Sequence, residues 1–102
     1  MIHISDCATS SLDNIADFLA LQGGTPLGEH FLTCAFDTFD ELERQPRVGT
    51  PHDTPRKAIM NLRRWPVHEF PNHLVFYREV RGGIEIIDII HAARDLPRVL
   101  GG

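Results

Sequence analysis

The sequence predicts an α+β fold in which a short first strand and a two-helix hairpin precede an antiparallel sheet of three or four strands. Apolar residues recur at helical spacing in the first half of the chain, β-branched and aromatic residues fill the second half, and glycine pairs separate elements. Helices that precede the strands in this way pack as one layer on one face of the sheet. The length of 102 residues fits a single domain, which we assign to residues 1–102.

The helical half follows a short strand over Ile2 to Ser5, where apolar and polar residues alternate. Nearby serine and aspartate residues offer N-cap oxygens to the first helix, and Gly23-Gly24 ends it. Thr25-Pro26 is predicted to be the N-cap and first residue of a second helix, which runs to about Gln45. The spacing of apolar residues predicts a core under both helices, formed by Leu12, Ile15, Leu19, Phe31, Ala35, Phe39 and Leu42.

The sheet half is predicted to follow a loop over residues 46–57, which is rich in proline and glycine. Ile59 to Trp65 is a candidate strand that Pro66 interrupts and that Val67 to Phe70 can continue. Pro71-Asn72 is a turn signal.

A hairpin is predicted next, with strands over Leu74 to Val80 and Ile84 to Ile90 and a loop at Gly82-Gly83. With that two-residue loop, Leu74 opposes His91 and Arg78 opposes Ile87. Arg78 and His91 are then expected to share one face of the sheet.

The charge of the chain is unevenly distributed. The net charge is −4. Residues 1–54 hold two arginines against nine carboxylates, a balance of −7, whereas residues 55–102 hold eight cations against five carboxylates, a balance of +3. An acidic chain is a poor non-specific ligand of nucleic acid, so no direct nucleic-acid binding is expected, while the basic half can meet an acidic protein.

The composition indicates a cytoplasmic protein without a membrane segment or a cofactor. Apolar runs are far shorter than the ~18 residues that span a bilayer, and Met1 to Asp6 lacks the pattern of a signal peptide. Cys7 and Cys34 make no disulfide framework and are expected to be small buried hydrophobes. The six histidines show no metal-ligand spacing, so no metal is expected.

Motifs in a specific order run along nearly the whole chain. They are Leu12-x-x-Ile15, Leu42-x-x-x-Pro46-x-x-Gly49, Leu62-Arg63, Val75-Phe76-Tyr77-Arg78 and Ile86-Ile87-Asp88-Ile89-Ile90-His91-Ala92-Ala93-Arg94-Asp95. The last motif is the most specific. In this order and spacing they resemble the ParE/RelE toxin superfamily, and its ParE branch most closely, although Ala92 stands where that family usually has glycine.

The resemblance implies the toxin of a type II toxin–antitoxin system, of the kind linked to plasmid stabilisation, with a ParD-like antitoxin as partner and DNA gyrase as target. The antitoxin would wrap the helical hairpin and the sheet, and the residues that we assign to this contact are Phe31, Phe36, Leu42 and Tyr77. Basic and aromatic residues are common in binding hot spots. Those that we assign to target binding, with the end of the last motif, are Arg63, Arg64, Trp65, His91, Arg94 and Asp95.

A ribosome-dependent messenger-RNA endonuclease of the RelE type is the alternative. RNA cleavage through the 2′-hydroxyl needs a base, an acid and cations on the phosphate, and Glu69, Arg78 and His91 are the candidates for these roles. The chain has one lysine, Lys57, and no tyrosine after His91 to stack on a nucleotide. We therefore favour inhibition by protein binding, with no catalytic residue.

Overall fold

The computed structural model describes residues 1–52 and 61–94, in which two helices pack on one face of a five-stranded sheet. The elements, in chain order, are β1 (Ile2–Ile4), α1 (Asp6–Gly23), α2 (Thr25–Arg44), β2 (Thr50–Pro51), β3 (Arg63–Val67), β4 (Phe70–Val80) and β5 (Gly83–His91). The predicted order of a strand, two helices and then strands is confirmed. Within the described ranges, neither helix is long and apolar enough to cross a membrane.

The two helices meet at a single residue, Gly24. Ser5 is the N-cap of α1, because its Oγ accepts a hydrogen bond from the Ala8 N–H at 3.0 Å. Gly24 has a φ of 97° and both ends α1 and precedes α2, so the assignment of Thr25 as N-cap was wrong by one position. A left-handed glycine turns the chain so sharply here that Thr25 already lies in the helix.

The helices pack closely because Gly28 carries no side chain. A Cβ atom on Gly28 would lie 2.5 Å from the Ala16 carbonyl oxygen of α1, which is closer than any real contact. Six of the seven predicted core residues are buried, and Leu19 is partly buried against the same core. The predicted core is therefore confirmed.

The sheet has the order β1-β5-β4-β3-β2, with β1 parallel to β5 and the other neighbours antiparallel. One face, here called the helix face, packs on α1 and α2 through Val75, Tyr77 and Ile86. The opposite face, here called the outer face, carries a smaller buried cluster around Phe76 and Ile90.

Three expectations for the sheet were wrong in detail. The strand does not break at Pro66, which pairs with Leu74 inside β3, and Pro71-Asn72 lies within β4. The turn falls earlier, at His68-Glu69, where Glu69 has a φ of 65°. Part of the predicted loop forms β2, which pairs only with the first two residues of β3. Pro66 lies beyond that pairing, so β2 needs no hydrogen bond from it, and the register between β3 and β4 shifts directly after it. The rest of that loop and the start of the candidate strand, residues 53–60, lie outside the described residues.

The hairpin between β4 and β5 turns one residue earlier than expected. Val80 pairs with Gly83, so the loop is Arg81-Gly82, and a register shift between Phe76 and Tyr77 marks a bulge. The observed partners are Leu74↔Ile90, Arg78↔Glu85 and His73↔His91. Because the bulge moves the later part of β5 by one residue, His91 lies on the helix face and Arg78 on the outer face. The expectation of a shared face was wrong.

Tyr77 ties the segment after α2 to the sheet. Its hydroxyl donates a hydrogen bond to the Pro46 carbonyl and accepts one from the Gly49 N–H, each at 2.9 Å. The side chain is fully buried, and burial raises the pKa of the Tyr77 hydroxyl. This side chain therefore fixes the loop that leads into β2.

Candidate functional site

A cleft of about 400 Å³ opens between α1 and the ends of β4 and β5. Phe18 and Leu19 of α1 form one wall, and Phe18 is 48% exposed. The rings of His73 and His91 form the other wall, with centroids 5.2 Å apart. Arg94 also lines the cleft. An exposed phenylalanine beside an arginine is typical of a protein-binding surface.

His91 is held in the cleft from two sides. Its Nδ1 accepts a hydrogen bond from the Arg94 N–H at 3.2 Å, across the helical turn that follows β5. Its ring packs edge-on against His73, whose ring packs in turn against Phe31 of α2 at 5.3 Å. The structure thus brings together His91 and Arg94, two of the residues assigned to target binding, while Asp95 lies outside the described residues.

The three candidate catalytic residues have separate neighbours. Arg78 donates from Nε to a Glu85 carboxylate oxygen at 2.7 Å on the outer face. Glu69 lies on the β3–β4 turn, where a hydrogen bond from His30 at 3.2 Å lowers the pKa of the Glu69 carboxyl. His91 lies in the cleft on the helix face. No single reacting atom is therefore flanked by all three groups.

The basic and aromatic residues of β3 are divided between the two faces of the sheet. Arg63 donates to the Gly49 carbonyl at 2.7 Å, and Trp65 donates from Nε1 to a Glu41 carboxylate oxygen of α2 at 3.2 Å. Arg64 points to the outer face, where its NH1 lies 3.3 Å from His52 Nδ1. Successive side chains of a strand alternate in direction, so this run does not form one patch.

Three of the four residues assigned to antitoxin contact are part of the core. Phe31, Leu42 and Tyr77 are completely buried between the helical hairpin and the sheet, so the assignment of these three to a contact surface was wrong. Their apolar character reflects core packing. Phe36 is 47% exposed, and the centroid of its ring lies 5.6 Å from that of Phe39. It stays a candidate for antitoxin contact.

Sequence reasoning missed the cleft residues Phe18 and His73 and a polar cluster at the β3–β4 turn. His30, Cys34 and Glu69 direct ligand-type atoms at one another there. The four-residue spacing of His30 and Cys34 on a helix was a readable signal, but the partner carboxylate lies 35 positions beyond Cys34. Cys34 is buried as expected, whereas Cys7 is exposed, so the expectation for Cys7 was wrong.

The helical hairpin on a mostly antiparallel sheet places the chain in the α+β class. A solved chain of the chromosomal ParDE TA system from P. aeruginosa has a similar fold, with a TM-score of 0.69, 18% sequence identity, and coverage of 88% of this chain and 92% of that chain. None of the curated proteins matches the sequence significantly.

The family model described as the ParE toxin of the type II toxin–antitoxin system parDE matches residues 2–96. This chain therefore belongs to the ParE toxin family and is the toxin component of a type II toxin–antitoxin system. The resemblance seen in the sequence motifs is confirmed.

Proposed function

We propose that this toxin inhibits DNA gyrase by binding to it, and that the cleft at the end of β5 forms part of the contact. The separation of Glu69, Arg78 and His91 carries the choice of binding over catalysis, because a general acid and base must both reach one substrate. The choice of gyrase rests on the resemblance to the ParE branch.

The cleft suits a protein partner in shape and chemistry. Phe18 supplies an exposed aromatic ring, and Arg94 supplies a cation beside it. Such residues carry a large share of the energy of protein interfaces when a partner excludes water around them. The excess of cations in the second half of the sequence favours an acidic surface on the target.

The test is a gyrase supercoiling assay with purified toxin. Phe18→Ala and Arg94→Ala should each weaken inhibition about tenfold or more, as hot-spot residues do. Leu21→Ala is the matched control on α1, since Leu21 is 88% exposed and does not line the cleft. Arg47→Ala is the control for loss of an exposed arginine. Arg47 lies near Glu79 and does not line the cleft. Both controls should inhibit like the unchanged toxin.

The same protein should leave messenger RNA uncut in a translation reaction. Glu69→Ala and His91→Ala should reduce toxicity by much less than the roughly 10²–10⁴-fold loss that follows removal of a general acid or base. Ribosome-dependent cleavage that disappears in His91→Ala would establish the endonuclease alternative instead.

For neutralisation we propose a ParD-like antitoxin whose extended segment adds to the outer edge of β3 beside α2. Among the described strands, β2 pairs with Arg63 and Arg64 only, so the edge from Trp65 to Val67 has no partner among them. Pro66 has no N–H, so an added strand would bind this edge through carbonyl groups and side chains. Helix α2 lies beside this edge, because the His68 N–H, directly after β3, donates to the Thr38 hydroxyl of α2 at 3.0 Å. The antitoxin segment would lie in the groove between α2 and the edge. Phe36 adds an exposed aromatic ring elsewhere on α2.

Antitoxin binding can be followed through Trp65, the single tryptophan of the chain. Its fluorescence should change on complex formation, and amide exchange should slow in β3 and α2. Phe36→Ala should weaken the complex, while Leu21→Ala on α1 should not. An unchanged Trp65 signal together with unprotected β3 amides would place the antitoxin elsewhere.

A further inference from the structure

Three potential metal ligands converge where α2 meets the β3–β4 turn. His30 and Cys34 lie four residues apart on the same side of α2. Glu69 reaches them from the turn, whose left-handed backbone at Glu69 brings the carboxylate over the helix. The ligand atoms of the three side chains all lie within 4.8 Å of one another.

The three side chains are spaced much like the ligands of a tetrahedral zinc site, with one carboxylate oxygen of Glu69 facing His30 and the other facing Cys34. His30 Nε2 and Glu69 Oε1 are 3.2 Å apart, and Cys34 Sγ lies 3.6 Å from both His30 Nε2 and Glu69 Oε2. Zinc bonds of about 2.0–2.3 Å to nitrogen, oxygen and sulfur give tetrahedral edges of about 3.3–3.6 Å. An ion between the three side chains can therefore be bound once the Glu69 carboxylate turns one oxygen, or both, toward it.

The surrounding contacts hold the ligands in place. The Thr38 hydroxyl donates to the Cys34 carbonyl at 2.7 Å and accepts from His68 N at 3.0 Å, which ties the turn carrying Glu69 to α2. The His30 ring lies 5.9 Å from Phe70 at the start of β4. Ligands that are positioned before binding favour affinity, because less conformational freedom is lost.

We propose that His30, Cys34 and Glu69 form a Zn²⁺ site that links α2 to the β3–β4 turn and leaves its fourth position to water. Imidazole, thiolate and carboxylate together suit zinc, and one thiolate plus one carboxylate balance its two positive charges. Binding breaks the Cys34 S–H bond, forms a zinc–sulfur bond and releases the proton to solvent. The proton on His30 Nε2 moves to Nδ1 through solvent, so that the Nε2 lone pair can bond to zinc. Cys34 is buried, while the His30 and Glu69 side chains are about half and two-thirds exposed, so solvent can reach the open position. The proposal does not depend on gyrase as the target.

The probe is Co²⁺, added to toxin that has been stripped of metal with a chelator. One equivalent should produce a thiolate-to-cobalt absorption band and the intense visible bands of a tetrahedral ion, and Zn²⁺ should remove both. Zinc should also raise the melting temperature of the unchanged toxin, since it binds the folded state.

Variants separate this site from adventitious binding. Cys34→Ser should lose the thiolate band, and His30→Gln and Glu69→Gln should each lower cobalt affinity at least about tenfold, as loss of even an indirect partner of a metal ligand does. Cys7→Ser, which removes a thiol next to Asp88, and His68→Gln, which removes a His–carboxylate pair with Glu41, should bind like the unchanged toxin.

Circular dichroism without metal identifies variants that fail to fold, and the exposed positions His30 and Glu69 keep the test decisive if Cys34→Ser is unstable. The absence of a thiolate band in the unchanged toxin would overturn the proposal. So would a band that survives Cys34→Ser or disappears in Cys7→Ser, or an affinity that is unaffected by both His30→Gln and Glu69→Gln.

Discussion

Tyr77→Phe removes a single hydroxyl from the core and tests whether this residue fixes the loop before β2. The phenylalanine ring keeps the packing of Tyr77, so the loss comes from hydrogen bonds alone. The Gly49 N–H is buried and would be left without its acceptor, at about 1–3 kcal/mol. The Pro46 carbonyl is partly buried and would lose a bond of about 0.5–1.5 kcal/mol net. We expect the free energy of unfolding to fall by about 2–4 kcal/mol.

Urea unfolding measures this change as a lower midpoint with an unchanged slope. Thr33→Val is the matched control, because the Thr33 hydroxyl donates to the Glu29 carbonyl on an exposed part of α2, where water can replace it. The free energy of unfolding of that control should fall by less than about 1 kcal/mol, which is the range expected for a surface substitution and for a change in helix propensity. A loss of under about 0.5 kcal/mol in Tyr77→Phe would show that the hydroxyl is not needed to hold the loop.

Three further predictions concern stability. Phe39→Ala should lower the free energy of unfolding by about 3–5 kcal/mol in chemical denaturation, because Phe39 is buried in the core. Ser5→Ala should lower it by about 0.5–2 kcal/mol in thermal melts, since the hydroxyl caps α1 and also donates to the Ile87 carbonyl. Hydrogen bonds from His68 and Trp65 lower the pKa of the Glu41 carboxyl. The stabilisation of the folded state by these hydrogen bonds is complete above the unfolded pKa of about 4.3 and is lost as pH falls through the lower folded pKa. The free energy of unfolding of Glu41→Gln, measured against pH, should therefore depend less on acid than that of the unchanged toxin.

Exposed neighbours provide the controls for these three variants. Phe36→Ala and Ser10→Ala alter the same residue types at exposed positions, and Asp40→Asn neutralises an exposed carboxylate next to Glu41. Each should cost much less than its buried or hydrogen-bonded counterpart. A Phe39→Ala loss no larger than that of Phe36→Ala would contradict the packing of the core, and parallel pH profiles for Glu41→Gln and the unchanged toxin would contradict the role of Glu41.

The helices could be predicted from the sequence because their pattern is local. Residues three and four positions apart share a helical face wherever the helix lies, so the buried faces of α1 and α2 follow from spacing alone. Leu19 shows the limit of this reasoning, since it belongs to the apolar stripe but also lines the cleft at the end of the sheet. Periodicity gives the face of a helix but not the depth to which each residue is covered.

The faces of β5 could not be predicted because one bulge reverses them. Asp88, at this irregularity, accepts hydrogen bonds from the Ser11 hydroxyl of α1 and from the Ile89 N–H. The first of these contacts depends on how α1 packs, which local patterns do not encode. Counting residues from the hairpin therefore put Arg78 and His91 on one face, which was compatible with the alternative catalytic site but was wrong.

The candidate sites depend on contacts that are distant in sequence. The cleft combines Phe18 with His91, and the proposed metal site combines α2 with a turn that had been predicted at Pro71-Asn72. Glu69 takes a left-handed backbone that favours glycine or asparagine, so its residue type gave no turn signal. The fold class could be predicted from sequence order, whereas the chemistry of the surfaces required the three-dimensional register.

The parallel pairing of β1 with β5 bears on how the toxin is made in the cell. Ser5, directly after β1, bonds to Ile87 of β5, 82 positions further along the chain. At about 5–20 residues per second, the ribosome needs several seconds to supply that partner. Until then α1 and α2 can form from local contacts, but their apolar faces have no sheet to cover them. Translation that stops before β5 leaves this sheet without the strand that joins β1 to β4, so early termination should abolish toxicity and leave an aggregation-prone fragment for proteases to remove.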